Sequence, residues 1–236
     1  MRVQSSLRWW SLGVLLPAAL AAQQPATPWS VEEIHGPARK VAFTTDEGTW
    51  ISLDVSPDGK TIVFDLLGDL YTIPITGGKA TRLTSGTRWD AMPRYSPNGA
   101  TILFDSDPSG SDQLWTMPAA GGTPRRVTAE GTYHHLQGAW DPSGSYVFAL
   151  RQTRPFQPSD VVMVHVAGGT GTPVADTGAV SLVASADGRW LYHAYLLGEG
   201  ATKSAIVRID RRTGERLSFV TGYEDLRRPM PSSDGR

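Results

Sequence analysis

The sequence predicts an all-β fold, and two observations carry that prediction. Short turn clusters begin at residues 56, 96, 141, 185 and 232, so that they recur every 40–47 residues. Each complete unit has an alternating segment before its turn, two β-rich segments after it, and a last short strand that follows a Gly-containing turn. No stretch after residue 30 shows sustained helical periodicity, which argues against a mixed α/β fold.

The turn clusters have residues that suit a tight hairpin. In "SPDG", Pro57 presets φ for the second position of a type I turn, Asp58 tolerates the bridge region, and Gly59 adopts the left-handed conformation that closes the hairpin. The clusters "SPNG", "DPSG" and "SADG" differ from it only by residues that the same type of turn allows. Each cluster therefore predicts the turn between the first two strands of a unit.

Four strands per unit of about 40–47 residues are typical of β-propeller blades. A two-sheet sandwich is the alternative, but its strands would not recur in registered groups of four. We predict an incomplete propeller of four four-stranded antiparallel blades, at about 47–84, 87–128, 132–176 and 178–221, and the start of a fifth from residue 222. The cluster at Ser232–Gly235 lies where the first hairpin of that fifth blade belongs, so we expect the chain to stop inside a repeat.

An orphan strand is predicted before the first unit. Lys40–Thr45 ends 11 residues before Ser56, and the final strands of the four units end 9–13 residues before the next turn cluster. It therefore occupies the position of a final strand without a blade of its own. In closed propellers such a strand commonly completes the last blade, and we expect that role in a full-length protein.

The N-terminal residues predict export. Arg2 and Arg8 precede the short apolar run Trp9–Leu20, and small residues at Ala21 and Ala22 offer a cleavage site. The run is too short to cross a bilayer, which takes about 20 residues. We expect a signal peptide at residues 1–22, an extended linker at 23–38, and no membrane span after cleavage. The absence of Cys and the net charge of −1 fit a disulfide-free periplasmic or secreted protein that does not bind nucleic acid.

Two stretches resemble a known family. The segments "SPDGKTIVFDLLGDLYTIPITGGKATRLT" and "YSPNGATILFDSDPSGSDQLWTMPAAGGTPRRVT" are similar to blades of TolB-like propellers, which repeat an SPDG turn, a "LW.M…GG" stretch and a final "R.LT". The first unit also resembles the start of the propeller that precedes a metal-dependent amidohydrolase domain in large exported bacterial proteins. The resemblance extends from about Arg39 to the end of the chain and is strongest in the first two units.

The resemblance implies a non-catalytic role for this chain. The first hypothesis is a scaffold or substrate-access module at the N-terminus of an amidohydrolase-like hydrolase, whose divalent metal and C-terminal domain lie outside this sequence. The alternatives are a stand-alone periplasmic propeller that binds proteins at its rim or channel, and the propeller of a prolyl-oligopeptidase-type peptidase. Propellers host unrelated activities, so the fold alone does not decide between them.

No residue is predicted to be catalytic, to bind a cofactor or to bind a metal. None of the five histidines (His35, His134, His135, His165 and His193) forms a His-x-His pair, and no G-x-S-x-G, P-loop or H-E-x-x-H motif occurs. Adjacent His134 and His135 would point to opposite faces of a strand, so a polar loop contact is favoured over a shared ligand.

Four further groups of residues have ordinary structural roles as the alternative to a functional one. The calcium-loop pattern at Asp105, Asp107, Ser109 and Gly110 has Thr116 where a Glu is required and lacks flanking helices, so a hairpin is favoured. A sugar-stacking role is disfavoured against core or rim packing for the tryptophans Trp50, Trp89, Trp115, Trp140 and Trp190. The carboxylates that could point into a central channel are Asp54, Asp65 and Asp69. The basic clusters "RRPM" and "IDRRTGER" are interpreted as solvated surface.

Overall fold

The computed structural model describes residues 29–34, 36–129, 131–154, 159–176, 178–197, 203–224 and 229–230. The predicted signal peptide, the turn cluster at 232–236 and His35 lie outside these residues. Within the described part of the chain there is no helix, and therefore none that is long and apolar enough to cross a membrane.

The described chain folds into four four-stranded antiparallel sheets, which confirms the predicted all-β fold of four blades. Blade 1 contains β1 (Leu53–Val55), β2 (Thr61–Leu66), β3 (Asp69–Pro74) and β4 (Thr81–Arg82). Blade 2 contains β5 (Ala91–Tyr95), β6 (Thr101–Ser106), β7 (Gln113–Pro118) and β8 (Arg125–Arg126). Blade 3 contains β9 (His134–Trp140), β10 (Tyr146–Gln152), β11 (Asp160–His165) and β12 (Thr172–Asp176). Blade 4 contains β13 (Ala179–Ala184), β14 (Trp190–Leu196), β15 (Lys203–Asp210) and β16 (Arg216–Glu224).

Each blade is a meander in which sequential strands pair, and none of the sheets closes into a barrel. The first strands of successive blades contact one another, so β1, β5, β9 and β13 lie side by side along the inside of the assembly. β16 extends to Glu224, three residues past the predicted end of the fourth unit at 221. The first strand of every unit therefore lines the inside of the propeller, which we call the channel.

The turn clusters are stabilised by a repeated set of hydrogen bonds. In the first, the Ser56 hydroxyl donates to Asp58 over 2.7 Å and accepts the Thr61 N–H over 2.9 Å. Gly59 has φ of 72°, the left-handed conformation predicted for it. The Asn98 turn and the Asp187 turn have the same arrangement.

The core lies between blades rather than within them. Along β6, Ile102 and Phe104 pack with Val63 and Leu70 of blade 1, whereas the intervening Leu103 packs against blade 3. Successive side chains of a strand point to opposite faces, so a strand between two blades must be apolar on both. This explains why the second strand of each unit contains at least three consecutive apolar residues.

One sheet face of blade 1 is left uncovered. Cross-strand pairing aligns Leu53 with Phe64 and Val55 with Ile62, and Leu53 and Val55 are exposed. The opposite face, with Val63 and Leu70, is buried against blade 2. A preceding blade would cover the exposed face, as the incomplete propeller predicts.

The residues before blade 1 differ from expectation in two respects. Ser30 and Val31, in the predicted extended linker, donate hydrogen bonds to the Pro108 carbonyl over 3.2 and 3.0 Å, so this part of the segment is docked on blade 2. Lys40–Thr45 pairs with no described strand, and Val41 and Phe43 are exposed. None of the four described sheets is the last blade predicted to pair with it, so its role as a closing strand stays a prediction.

Candidate channel site

The candidate site is a cleft of about 220 Å³ between the four first strands. Asp54 of β1, Arg94 of β5, Gln137 of β9 and Ser181 of β13 line it, and Met230 lies against it from beyond blade 4. The cluster "RRPM" is predicted to be solvated surface. Its last residue, Met230, contributes to the wall of the cleft, although most of its side chain is exposed.

Bulges in the first strands shape this cleft. Met92 and Gln137 have positive φ values of 54° and 51°, at equivalent positions four residues before the turn clusters of blades 2 and 3. A non-glycine residue adopts this conformation only where neighbouring groups hold it. These bulges could not be predicted from the sequence, because neither methionine nor glutamine favours the left-handed region.

A carboxylate from the preceding blade holds each bulge. Asp65 accepts the Met92 N–H over 2.8 Å and the Ser52 N–H over 2.9 Å. Asp105, at the same place in blade 2, accepts the Gln137 N–H over 2.9 Å. Two of the candidate acids are therefore engaged with the backbone and join one blade to the next.

Asp105 differs from Asp65 in its second oxygen. Both Asp65 oxygens accept hydrogen bonds, whereas Asp105 Oδ1 has no partner among the described residues. Burial raises the pKa of Asp105 to about 7, against partial compensation from the backbone N–H groups of Gln137 and Gly138. Asp107, the second acid of the calcium-loop pattern, makes a separate contact, since its carboxylate accepts the Trp89 N–H over 2.7 Å.

The other two candidate acids, Asp54 and Asp69, lie in different places. Asp54 accepts the Tyr95 N–H over 2.8 Å and so ties β1 to β5 beside the cleft. Asp69 instead forms an ion pair with Arg82 on the outermost strand, at 2.7 Å. Of Asp54, Asp65 and Asp69, only Asp54 lines the cleft.

The histidines make structural contacts. His134 Nδ1 lies 3.1 Å from Asp112, and His135 Nδ1 lies 2.9 Å from the Gln113 amide oxygen, so both contact blade 2 from the start of β9. This agrees with the polar contact favoured from the sequence. Burial, with smaller contributions from Arg151 and His134, lowers the pKa of His135 to about 4.

The other two described histidines are part of the blades. His165 packs edge-on against Tyr146 at 5.0 Å and accepts the Ala167 N–H at its turn. His193 is buried in blade 4 with no hydrogen-bond partner for either ring nitrogen among the described residues, and burial lowers its pKa to about 4. Among the described residues, no group of three or more His, Cys, Asp or Glu is placed to hold a metal.

The tryptophans fall into two sets. Trp115 packs beside the core between blades 1 and 2, as expected, and Trp140 donates its indole N–H to the Arg94 carbonyl over 3.1 Å. Trp190 is half-buried under the Arg208 guanidinium at 4.3 Å. Trp50 and Trp89 are exposed at one end of the blades. The packed tryptophans could not be distinguished from the exposed ones by sequence, because the exposure of an indole depends on its contacts with other loops.

The basic cluster "IDRRTGER" also has an internal role that the sequence did not predict. Arg211 forms an ion pair with Asp141 of blade 3 at 2.6 Å, donates to the Gly188 carbonyl, and lies over the Phe148 ring. It is thus an inter-blade contact rather than solvated surface.

Comparison with known proteins agrees with this architecture. A protein of Agrobacterium fabrum of uncharacterized role is 36% identical over 94 residues, which are 38% of this chain and 30% of that protein. Tricorn protease homolog 1 of Streptomyces coelicolor is 27% identical over 88 residues, which are 37% of this chain and 8% of that protein. The chain therefore spans well under half the length of either relative.

Solved structures show the same fold. The crystal structure of TolB from Acinetobacter baumannii superposes with a TM-score of 0.64 at 20% identity, over 77% of this chain and 45% of that one. The chain thus shares the β-propeller fold of TolB. Residues 54–203, more than half of the sequence, match the family described as the tricorn protease N-terminal beta propeller domain, and the chain belongs to that family.

Proposed function

We propose that this chain is the non-catalytic propeller segment of an exported hydrolase, which serves as a scaffold or as a module that controls substrate access. The observation that carries the proposal is the use of three aspartate carboxylates at the seams between blades. Asp54, Asp65 and Asp105 accept backbone N–H groups of neighbouring strands, so they hold the blades together. Acids used in this way stabilise a scaffold instead of taking part in acid–base chemistry.

The proposed identity of the hydrolase rests on the amino-acid sequence of the first unit. Its resemblance to the propeller that precedes amidohydrolase domains supports an amidohydrolase-like parent, whose metal site would lie in a domain beyond this sequence. Export to the periplasm or outside the cell is supported by the signal-peptide pattern at residues 1–22. Mass spectrometry of the exported protein should then find Gln23 at its N-terminus.

A second candidate is the propeller of a peptidase. The match to the tricorn protease N-terminal propeller family favours it, as does the likeness to a tricorn protease homolog. A stand-alone TolB-like propeller that binds proteins is the third possibility, favoured by the superposition on TolB.

The coding sequence downstream of Arg236 distinguishes these candidates. A His-x-His pair in a barrel pattern would support the amidohydrolase, G-x-S-x-G a serine peptidase, and an early stop the stand-alone propeller. A second experiment tests the non-catalytic role itself. Purified residues 23–236 should hydrolyse neither amide, ester nor peptide substrates above the rate of the buffer. Turnover that copurifies with the chain and is lost on its denaturation would overturn the proposal.

A further inference from the structure

Blades 1 and 2 expose a cluster of large apolar side chains at one end. Trp50 is 97% exposed, Leu67 66%, Trp89 60% and Trp29 57%. We call these four residues the tryptophan rim. Single exposed apolar residues are ordinary, but contiguous apolar patches mark interaction sites, and Trp is enriched in protein interfaces.

The meander topology brings the tryptophan rim together. Trp50 precedes β1, Leu67 lies in the turn between β2 and β3, and Trp89 precedes β5. In a propeller whose first strands lie side by side, the start of each first strand and the turn after each second strand meet at the same end. The SPDG-type turns lie at the opposite end.

Contacts between loops connect the segments that carry the rim residues. A Cβ at Gly68 would lie 3.1 Å from the Trp89 ring, so this ring packs on the turn that carries Leu67. The Trp89 N–H donates to Asp107, and the Trp29 ring lies over Gly110 in the same loop. The Trp50 segment joins through Gly48, where a Cβ would lie 2.6 Å from Leu66 Cδ1.

Two rim residues have strained backbone. Trp50 has φ of 62° and Leu67 has φ of 54°, although neither is a glycine. Such strained conformations persist only where the surrounding structure holds them, and they cluster at binding and active sites. The burial of these two side chains does not compensate the strain, because both point largely into solvent.

The surroundings of the rim are acidic. The segments 29–34, 46–51, 66–69, 86–90 and 107–112 contain one basic residue, Arg88. Their acidic residues are Glu32, Glu33, Asp46, Glu47, Asp69, Asp90, Asp107 and Asp112. Arg88 is already paired with Asp90 at 3.0 Å and lies 3.7 Å from Glu32, so it neutralises little of this charge.

We propose that the tryptophan rim binds a polypeptide segment in which lysine or arginine side chains alternate with apolar ones. Indole faces attract cations, and the carboxylates of Glu33, Asp46 and Glu47 add long-range attraction that salt weakens. A carbohydrate would also stack on tryptophan, but a neutral sugar gives no reason for the excess of carboxylates. The proposal rests on the proposed role as an access or scaffold module, and it names the partner chemistry of that module.

The test uses three probes on the purified chain: a short synthetic peptide of lysine, leucine and glycine, the same peptide with glutamate for lysine, and maltohexaose. Calorimetry should detect binding of the lysine peptide alone, weakened severalfold on going from low salt to about 0.5 M NaCl. Trp50→Ala and Trp89→Ala should each weaken it by about three- to tenfold, the loss of one cation–π contact. Glu33→Gln with Glu47→Gln should lower the affinity mainly at low salt.

Matched controls lie at the opposite end of the blades. Ile75→Ala removes an exposed apolar side chain and Glu215→Gln an exposed carboxylate there, and both should leave the affinity unchanged. The proposal is overturned if the control variants weaken binding as much as the rim variants, if maltohexaose binds in place of the peptide, or if no probe binds. None of these results bears on hydrolysis, so failure here is distinguishable from failure of the proposed function.

Discussion

The Asp105 carboxylate accepts the backbone N–H of Gln137 over 2.9 Å, and this contact joins blade 2 to the first strand of blade 3. Gln137 has positive φ. In blade 3, Leu150 occupies the position of Asp105, and β13 of the next blade has no described non-glycine residue with positive φ. The acid and the left-handed bulge therefore occur together and are absent together.

Asp105→Ala should lower the free energy of unfolding by about 1–3 kcal/mol, because a buried N–H loses its acceptor. Asp105→Asn keeps an acceptor oxygen and should cost much less at pH 7. Urea denaturation measures both, with the exposed Asp46→Ala as control. Equal stability of Asp105→Ala and the wild type would show that the contact does not hold the bulge.

The raised pKa of Asp105 predicts an unusual pH dependence. Its pKa is about 7 in the folded chain and ordinarily 3.8, so folding retains a proton that the unfolded chain releases between these values. The contribution of Asp105 to stability is therefore fully present below pH 4 and is lost as the pH rises through 7. The difference in unfolding free energy between the wild type and Asp105→Asn should shift against the wild type over this range; a constant difference would contradict the raised pKa.

His193 predicts the opposite dependence. Burial lowers its pKa from 6.5 to about 4, so the neutral ring favours folding above pH 6.5 and this stability is lost as the pH falls through 4. His193→Phe should gain about 2 kcal/mol relative to the wild type between pH 8 and pH 5. Thermal unfolding at the two pH values measures this, and exposed His165→Phe is the control. An equal effect of both variants would refute the assignment.

Two threonines should stabilise the outer edge of the blades. The Thr84 hydroxyl accepts the Leu70 N–H over 2.9 Å, and the Thr128 hydroxyl accepts the Leu114 N–H over 3.0 Å. Thr→Val at either position should cost about 1–3 kcal/mol in urea denaturation, since the buried N–H loses its acceptor. Thr81→Val on the exposed strand β4 should leave the free energy of unfolding nearly unchanged. An equal loss of stability in Thr81→Val would show that the hydroxyls of Thr84 and Thr128 have no special role.

The uncovered face of blade 1 predicts self-association. Leu53 and Val55 are exposed on a sheet face that a neighbouring blade would bury, and such faces attract other apolar surfaces. Sedimentation of residues 23–236 should show oligomers whose proportion rises with concentration. Leu53→Lys together with Val55→Lys should raise the monomer fraction, and Ile75→Lys should not. A monodisperse wild-type monomer would be the contrary result.

The repeat could be predicted from the sequence because its signals are local. Pro57, Asp58 and Gly59 specify a turn by their own conformations, and the consecutive apolar residues on both sides of Leu103 specify a strand with two buried faces. The contacts between blades could not be predicted in the same way. The roles of Asp105, Thr128 and Arg211 each depend on a partner in another strand or blade, and strand register alone brings these partners together.

One sequence signal could have revealed part of the site. Aligning the four units shows Asp65 and Asp105 at one position in the first two units and Leu150 in the third. A buried acid that appears in some repeats and not in others indicates a specific partner. The exposure of Trp50 had no such signal, because strand and loop patterns do not distinguish a packed indole from one at the rim.

The turn at Asp141 shows how similar units can be told apart. Blade 1 has Ser56 before Asp58, whereas blade 3 has Asp141 before Ser143, and the exchange places a carboxylate where it reaches Arg211 of blade 4. Blades of identical sequence could stack in any order, or exchange between two chains. The first two seams use an aspartate that holds a bulge, Asp65 or Asp105, whereas the third seam uses the ion pair of Asp141 with Arg211, so the residues that make the repeat imperfect distinguish the third seam from the first two.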